Sequence, residues 1–87
     1  GGARSEWRDA TGTVQLLEVH PHLEWYGRPI SELEAASQSR VAFLTRLGEG
    51  LIPEAHTVLQ DGDLVHMTIR DDMLAVAEAA LTQGPGA

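Results

Sequence analysis

The sequence predicts an α+β domain, a small and mainly antiparallel sheet carrying two helices. Three observations point there. Leu64 to Ile69 alternates, with Val65, Met67 and Ile69 on one side and Leu64, His66 and Thr68 on the other, the period of a strand. Val41-Ala42-Phe43-Leu44 is an unbroken apolar run of strand length, the pattern of a strand buried on both faces. Met73, Val76, Ala77, Ala80 and Leu81 recur at helical spacing and mark the core stripe of a helix.

The remaining elements fall between these. Residues 1–11 hold little to bury and read as a flexible linker or a leftover of cloning. Thr13 to Val19 reads as a strand, with Val14, Leu16, Leu17 and Val19 broken by Gln15 and Glu18. Pro21 ends it, because proline donates no ladder hydrogen bond. Trp25 to Pro29 reads as a turn. Ser31-Glu32-Leu33-Glu34 fits a capping box and opens a short helix, with Ser31 as cap and Glu34 reaching back. After the Val41–Leu44 strand, Leu47 to Gly50 reads as a hairpin turn and Leu51-Ile52 as a short return strand stopped by Pro53. Asp61-Gly62 is a turn signal before the alternating strand. The last helix starts at Asp71 or Asp72, and Gly84-Pro85 stops it. The expected order is strand, helix, strand, strand, strand, helix, in one domain over residues 12–82 with a flexible tail at 83–87.

Composition narrows the function. Thirteen acidic residues stand against six basic ones in 87 residues, a formal charge of −7. Such a chain repels a polyphosphate backbone, so nucleic acid is not an expected partner. All six basic residues are arginines, and a guanidinium can still fork onto the phosphate of a small anion. With no cysteine there is no disulfide, thiolate nucleophile or thiolate metal site. No apolar run reaches the length of a membrane span, so no direct insertion is expected. Roughly 70 packed residues lie near the size at which one core is marginal, which favours a second copy of the chain.

No residue constellation points to an enzyme. Ser31, Ser37 and Ser39 sit in no nucleophile elbow, and Gly48-Glu49-Gly50 precedes a strand where a phosphate loop precedes a helix. His20 and His22 lie two apart, with His56 and His66 remote and no supporting carboxylate spacing, so no metal site is expected. Asp61 with Asp63, and Asp71 with Asp72, are explained by a turn and a helix start. Arg40, between Ser37-Gln38-Ser39 and the apolar strand, stands at a natural edge for a groove between subunits.

Four segments in order resemble one family: Trp25-Tyr26-Gly27-Arg28-Pro29-Ile30-Ser31-Glu32-Leu33; Arg40-Val41-Ala42-Phe43-Leu44-Thr45-Arg46; Ile52-Pro53; and Thr57 to Val65 with Leu59-Gln60-Asp61-Gly62-Asp63-Leu64. They are similar to the C-terminal domain of RCK proteins, the TrkA-C domain, and most like that of actinobacterial TrkA-type potassium-uptake regulators. The resemblance runs from about Thr13 to Leu81. It implies a cytoplasmic regulatory homodimer, peripheral to a membrane potassium or cation transporter, that binds a small nucleotide between its subunits. Cyclic di-AMP is the ligand it points to, and carried over by position the pocket falls on Ile30, Ser31, Glu34, Ala36, Ser39, Arg40, Val41 and Pro53. Ile30, Val41 and Pro53 would flank adenine and Arg40 would meet phosphate. Ala36 stands where some cyclic di-AMP binders have an arginine, and Ser39 where they have a histidine. The alternative the resemblance implies is a structural dimerisation module, with sensing left to a separate NAD- or ATP-binding domain, since no G-x-G-x-x-G occurs here.

Overall fold

In the computed structural model, which describes residues 3–86, five strands form one antiparallel sheet. They are β1 (Arg4–Arg8), β2 (Val14–Val19), β3 (Arg40–Arg46), β4 (Glu49–Leu51) and β5 (Leu64–Arg70), in the spatial order β1-β2-β5-β3-β4. Helix α1 (Ile30–Ser37) follows a 3-10 turn at Leu23–Trp25, and α2 (Leu74–Gln83) follows another at Asp71–Met73. The α+β expectation holds, with one strand more than the sequence suggested.

That strand is β1, inside the segment expected to be a linker. Every residue of Arg4–Arg8 is exposed, so no hydropathy pattern betrays it. It is held by ladder bonds to β2 and by charge, Arg8 reaching Asp71 at 2.8 Å and the carbonyl of Gly12 at 2.7 Å. The β1–β2 turn is organised by Asp9. Its carboxylate accepts the amides of Thr11, of Thr13 at 2.9 Å and of Val14 at 2.9 Å, and the Thr11 hydroxyl. The Thr11 hydroxyl first, then the Val14 amide, hold the Asp9 carboxyl down at about 2, below its ordinary 3.8. A depressed folded value stabilises the fold above the ordinary value, and that stability is lost as pH falls from about 4 to about 2. Acid unfolding of Asp9→Asn, followed by circular dichroism, is expected to show a shallower slope in that window and a lower stability at pH 7.

Register sorts the sheet into two faces. Leu17 pairs with Met67 and Val19 with Val65 on the face that meets the helices, while Glu18 pairs with His66 on the other. Leu17, Val19, Val41, Leu44, Val65, Met67 and Ile69 pack there against Trp25, Ile30, Leu33, Leu59, Ala77 and Leu81. The run Val41–Leu44 is not buried on both faces throughout. A bulge between Val41 and Phe43 keeps Val41 and Leu44 in the core and leaves Ala42 and Phe43 half-buried. One inserted residue therefore turns an apparently continuous apolar run into a one-sided strand.

The helices also differ in detail from expectation. Helix α1 begins one residue early, after Pro29, so Ser31 is its second residue and makes no cap. The free amides of Ile30 and Ser31 instead donate to the carbonyls of Thr57 (2.8 Å) and Ala55 (3.0 Å), supplied by the loop before β5. In α2 only Ala77 and Leu81 are fully buried, Leu74 packs against the core, and Val76 is 43% exposed. The Gly84 stop is as expected, its amide donating to the carbonyl of Ala80 at 3.2 Å.

Arg46 pairs with Glu49 around a two-residue turn in which Leu47 (φ 52°) and Gly48 (φ 79°) are both left-handed, the geometry that favours Asn-Gly. Leu47 is almost wholly exposed, so nothing offsets its backbone strain. Leu47→Asn is expected to stabilise the domain by about 1 kcal/mol, read as a raised denaturation midpoint.

Candidate functional site

The C-terminal end of α1 and the first residue of β3 border an open groove of about 480 Å³, lined by Ser31, Glu34, Ala35, Gln38, Ser39 and Arg40. Its shape follows from how the helix stops. Gln38 takes a left-handed conformation (φ 53°), and its amide and that of Ser39 (3.3 Å) return to the carbonyl of Glu34. Ser39 Oγ donates to the carbonyl of Ser37 at 3.1 Å, and Gln38 Nε2 to that of Ala35 at 2.9 Å. Glu34 Oε2 accepts the amide of Val41 at 2.9 Å and so ties the helix to the strand. The chain turns sharply enough to leave Arg40 at the rim.

Arg40 differs from the other arginines in its electrostatics. Arg4 pairs with Glu18 (3.2 Å), Arg8 with Asp71 (2.8 Å), Arg28 with Glu32 (2.8 Å), Arg46 with Asp63 (2.8 Å) and Arg70 with Asp72 (3.1 Å). Among the described residues, Arg40 is the one arginine without a carboxylate partner. The Arg46–Asp63 pair shows the contrast. Burial raises the Asp63 carboxyl, but the Arg46 hydrogen bonds and the Gln60 amide outweigh it and hold the carboxyl below its ordinary value. Arg46 is thereby committed to the fold; Arg40 is not.

Of the residues expected to form a pocket, the structure brings Ser31, Glu34, Ser39 and Arg40 together. Ile30 and Val41 lie in the core, 2% and 7% exposed, with little surface to offer a base. Ala36 borders a different depression, shared with Trp25, Arg28, Ala80 and Gly84. Pro53 sits half-buried in the loop after β4, outside the groove lining. Ala35 and Gln38 line the groove and were not anticipated; the weak helix formers Ser37-Gln38-Ser39 were the signal that the helix ends there. The histidines that sequence spacing brought forward serve locally, His22 Nδ1 accepting the amide of Glu24 at 3.1 Å and His56 lying 3.3 Å from Glu54.

No protein-family model matches the chain. A curated relative does. The Trk system potassium uptake protein TrkA of Streptomyces coelicolor is 52% identical over 84 residues, which are 97% of this chain and 38% of that protein. The chain is a relative of TrkA. It spans well under half the length of that relative. Two solved structures share the fold of this TrkA-related domain. The GsuK channel bound to NAD superposes with a TM-score of 0.77 at 21% identity, over 100% of this chain and 16% of that one. The crystal structure of the GsuK RCK domain gives 0.75 at 22% identity, over 98% and 19%. The expected resemblance is thus met in sequence by TrkA and in fold by the GsuK RCK domain. No helix among the described residues is long and apolar enough to cross a membrane.

Proposed function

We propose that this TrkA-related domain is a cytoplasmic regulatory module of a potassium-uptake system, peripheral to its membrane transporter, and that it acts as a homodimer sensing cyclic di-AMP without catalysing a reaction. The observation that supports this most is Arg40, an uncommitted guanidinium on a groove in a chain of net charge −7. Two such groups across a two-fold axis match the two phosphates of a symmetric cyclic dinucleotide, each in a bidentate fork. The groove's other side chains, Ser31 and Ser39, are hydroxyls suited to ribose or phosphate oxygens. Ligand binding would act on the transporter only through different affinities for its two gating states.

A second reading, a structural dimerisation module with sensing in a separate NAD- or ATP-binding domain, is favoured by the burial of Ile30 and Val41 and by the remote position of Ala36. Isothermal titration of cyclic di-AMP into the 87-residue chain separates the two, with ATP, cyclic AMP and calcium as comparators and the oligomeric state measured by light scattering. Saturation at one ligand per two chains supports the sensing dimer. No heat from a dimeric sample supports the structural module.

A further inference from the structure

The face of the sheet away from the helices carries a second group of functional side chains, unrelated to the groove. Glu6, Glu18 and His66 each present one ligand atom, and the three atoms lie within 4.8 Å of one another. They come from β1, β2 and β5, adjacent hydrogen-bonded strands, which fix them far better than a loop does. Glu18 and His66 are direct cross-strand partners. Glu6 falls at the irregularity of β1, where register shifts between Ser5 and Trp7, and such a bulge re-aims a side chain. The His66 ring is 7% exposed and stacked on Phe43, with centroids 4.1 Å apart and planes at 14°. Its Nε2 lies 3.0 Å from Thr45 Oγ1, and its Nδ1 lies 2.6 Å from Glu6 Oε1.

We propose that Glu6, Glu18 and His66 form a site for a divalent cation of the zinc class, with three protein ligands and an open position for water. Thr45 orients the ring as metal-bound histidines require. The 2.6 Å contact between Nδ1 and Glu6 Oε1 is bridged by a proton, which the cation would displace, leaving the Nδ1 lone pair to the metal and the remaining ring proton on Nε2 for Thr45 Oγ1. One imidazole and two carboxylates suit zinc, whereas calcium takes six to eight oxygens. A tetrahedral zinc sphere has ligand edges of about 3.4 Å, so the 2.6 Å His66–Glu6 pair must open by about 0.8 Å while the widest separation, within 4.8 Å, closes by up to about 1.4 Å. Glu6 and Glu18 are both partly reached by water, their side chains 22% and 17% exposed, and Glu18 would leave Arg4 at 3.2 Å and His20 at 3.7 Å to make that movement. The cation would supply a counter-charge to both carboxylates, where Arg4 reaches Glu18 and His66 reaches Glu6. It would also clamp β1, an otherwise fully exposed edge strand, to the sheet.

Sequence spacing could not reveal this set, since positions 6, 18 and 66 meet only through the strand order β1-β2-β5. The test is titration of the 87-residue chain with zinc ion alone, calcium as comparator, followed by calorimetry and by imidazole nitrogen shifts in NMR. The expected result is saturable 1:1 zinc binding that moves the His66 Nδ1 resonance and raises the melting temperature, with calcium much weaker. Glu6→Gln and Glu18→Gln, both at the rim of the site and separate from the core, are each expected to weaken zinc by about tenfold or more. Absence of saturable zinc binding overturns the proposal. So does binding that moves His20, His22 or His56 but leaves His66 unshifted, or that persists unchanged in both carboxylate variants. Calcium binding as tight as zinc overturns the assignment of cation class.

Discussion

Trp25→Ala is expected to leave the domain largely unfolded at 37 °C. Trp25 is 2% exposed and sits in the 3-10 turn that leads into α1, with its indole Nε1 donating to the carbonyl of Ala80 in α2 at 2.9 Å. Next to it, the amide of His22 donates to the carbonyl of Leu81 at 2.7 Å, so this short segment is the clamp that holds the second helix over the sheet. Removing a buried indole costs about 3–5 kcal/mol through lost transfer energy and a cavity the surroundings cannot close. A domain of this size has a total stability of about 5–15 kcal/mol and loses about 4–8 °C of melting temperature per kcal/mol. The expected fall is therefore on the order of 20 °C, measured by thermal denaturation followed by circular dichroism. Trp25→Phe separates volume from hydrogen bonding. It keeps most of the ring and removes the donor, but the carbonyl of Ala80 still accepts the amide of Gly84 at 3.2 Å. Its cost should stay near 1–2 kcal/mol, about one hydrogen bond and a small void. An alanine variant as stable as the parent would show that the α2 clamp lies elsewhere.

Val76 supplies the opposite case and shows what the sequence alone could convey. It stands at helical spacing with Ala77, Ala80 and Leu81, yet it is 43% exposed, and Val76→Ala is expected to cost little beside Trp25→Ala. Periodicity found α2 and the strand Leu64–Ile69 because both bury one face and expose the other. It misplaced the edge of the α2 stripe because the helix buries only Ala77 and Leu81, about one residue per turn. Strand β1 was invisible for the opposite reason. It buries no residue, and its pairing comes from backbone amides and from partners as distant as Asp71. The Val41–Leu44 strand was found but its burial was misjudged, because a bulge carries no compositional mark. Among the groove residues, Ser31, Glu34, Ser39 and Arg40 match the family resemblance, since they run along one side of α1 and past its C-terminal end. Ile30, Val41 and Ala36 do not, because helical phase turns Ile30 to the core and Ala36 to the α2 side, and the pleat of β3 turns Val41 into the core.

Arg40→Ala is expected to abolish measurable cyclic di-AMP binding while leaving stability unchanged. The side chain is exposed and makes no ion pair among the described residues, so its loss should move stability by less than about 0.5 kcal/mol. Its contribution to ligand is of another size. A hydrogen bond to a charged group is worth about 1.5–3 kcal/mol, and a two-fold site loses it twice. The expected weakening is thus about 100-fold or more, read by calorimetry at one ligand per two chains. Arg40→Lys tests the geometry separately from the charge. Lysine keeps a cation but cannot fork two oxygens of one phosphate, so its affinity should fall between parent and alanine. Rising salt should weaken the parent and the lysine variant, because the phosphates meet a cation at an exposed rim where screening acts fully. Glu34→Gln serves as the control within the same groove. Its side-chain oxygen can still accept the amide of Val41, so the helix end stays in place while one negative charge beside the phosphates is removed. It should bind cyclic di-AMP at least as tightly as the parent. Parent-like affinity in Arg40→Ala would take Arg40 out of the site and leave the groove a seam between α1 and β3.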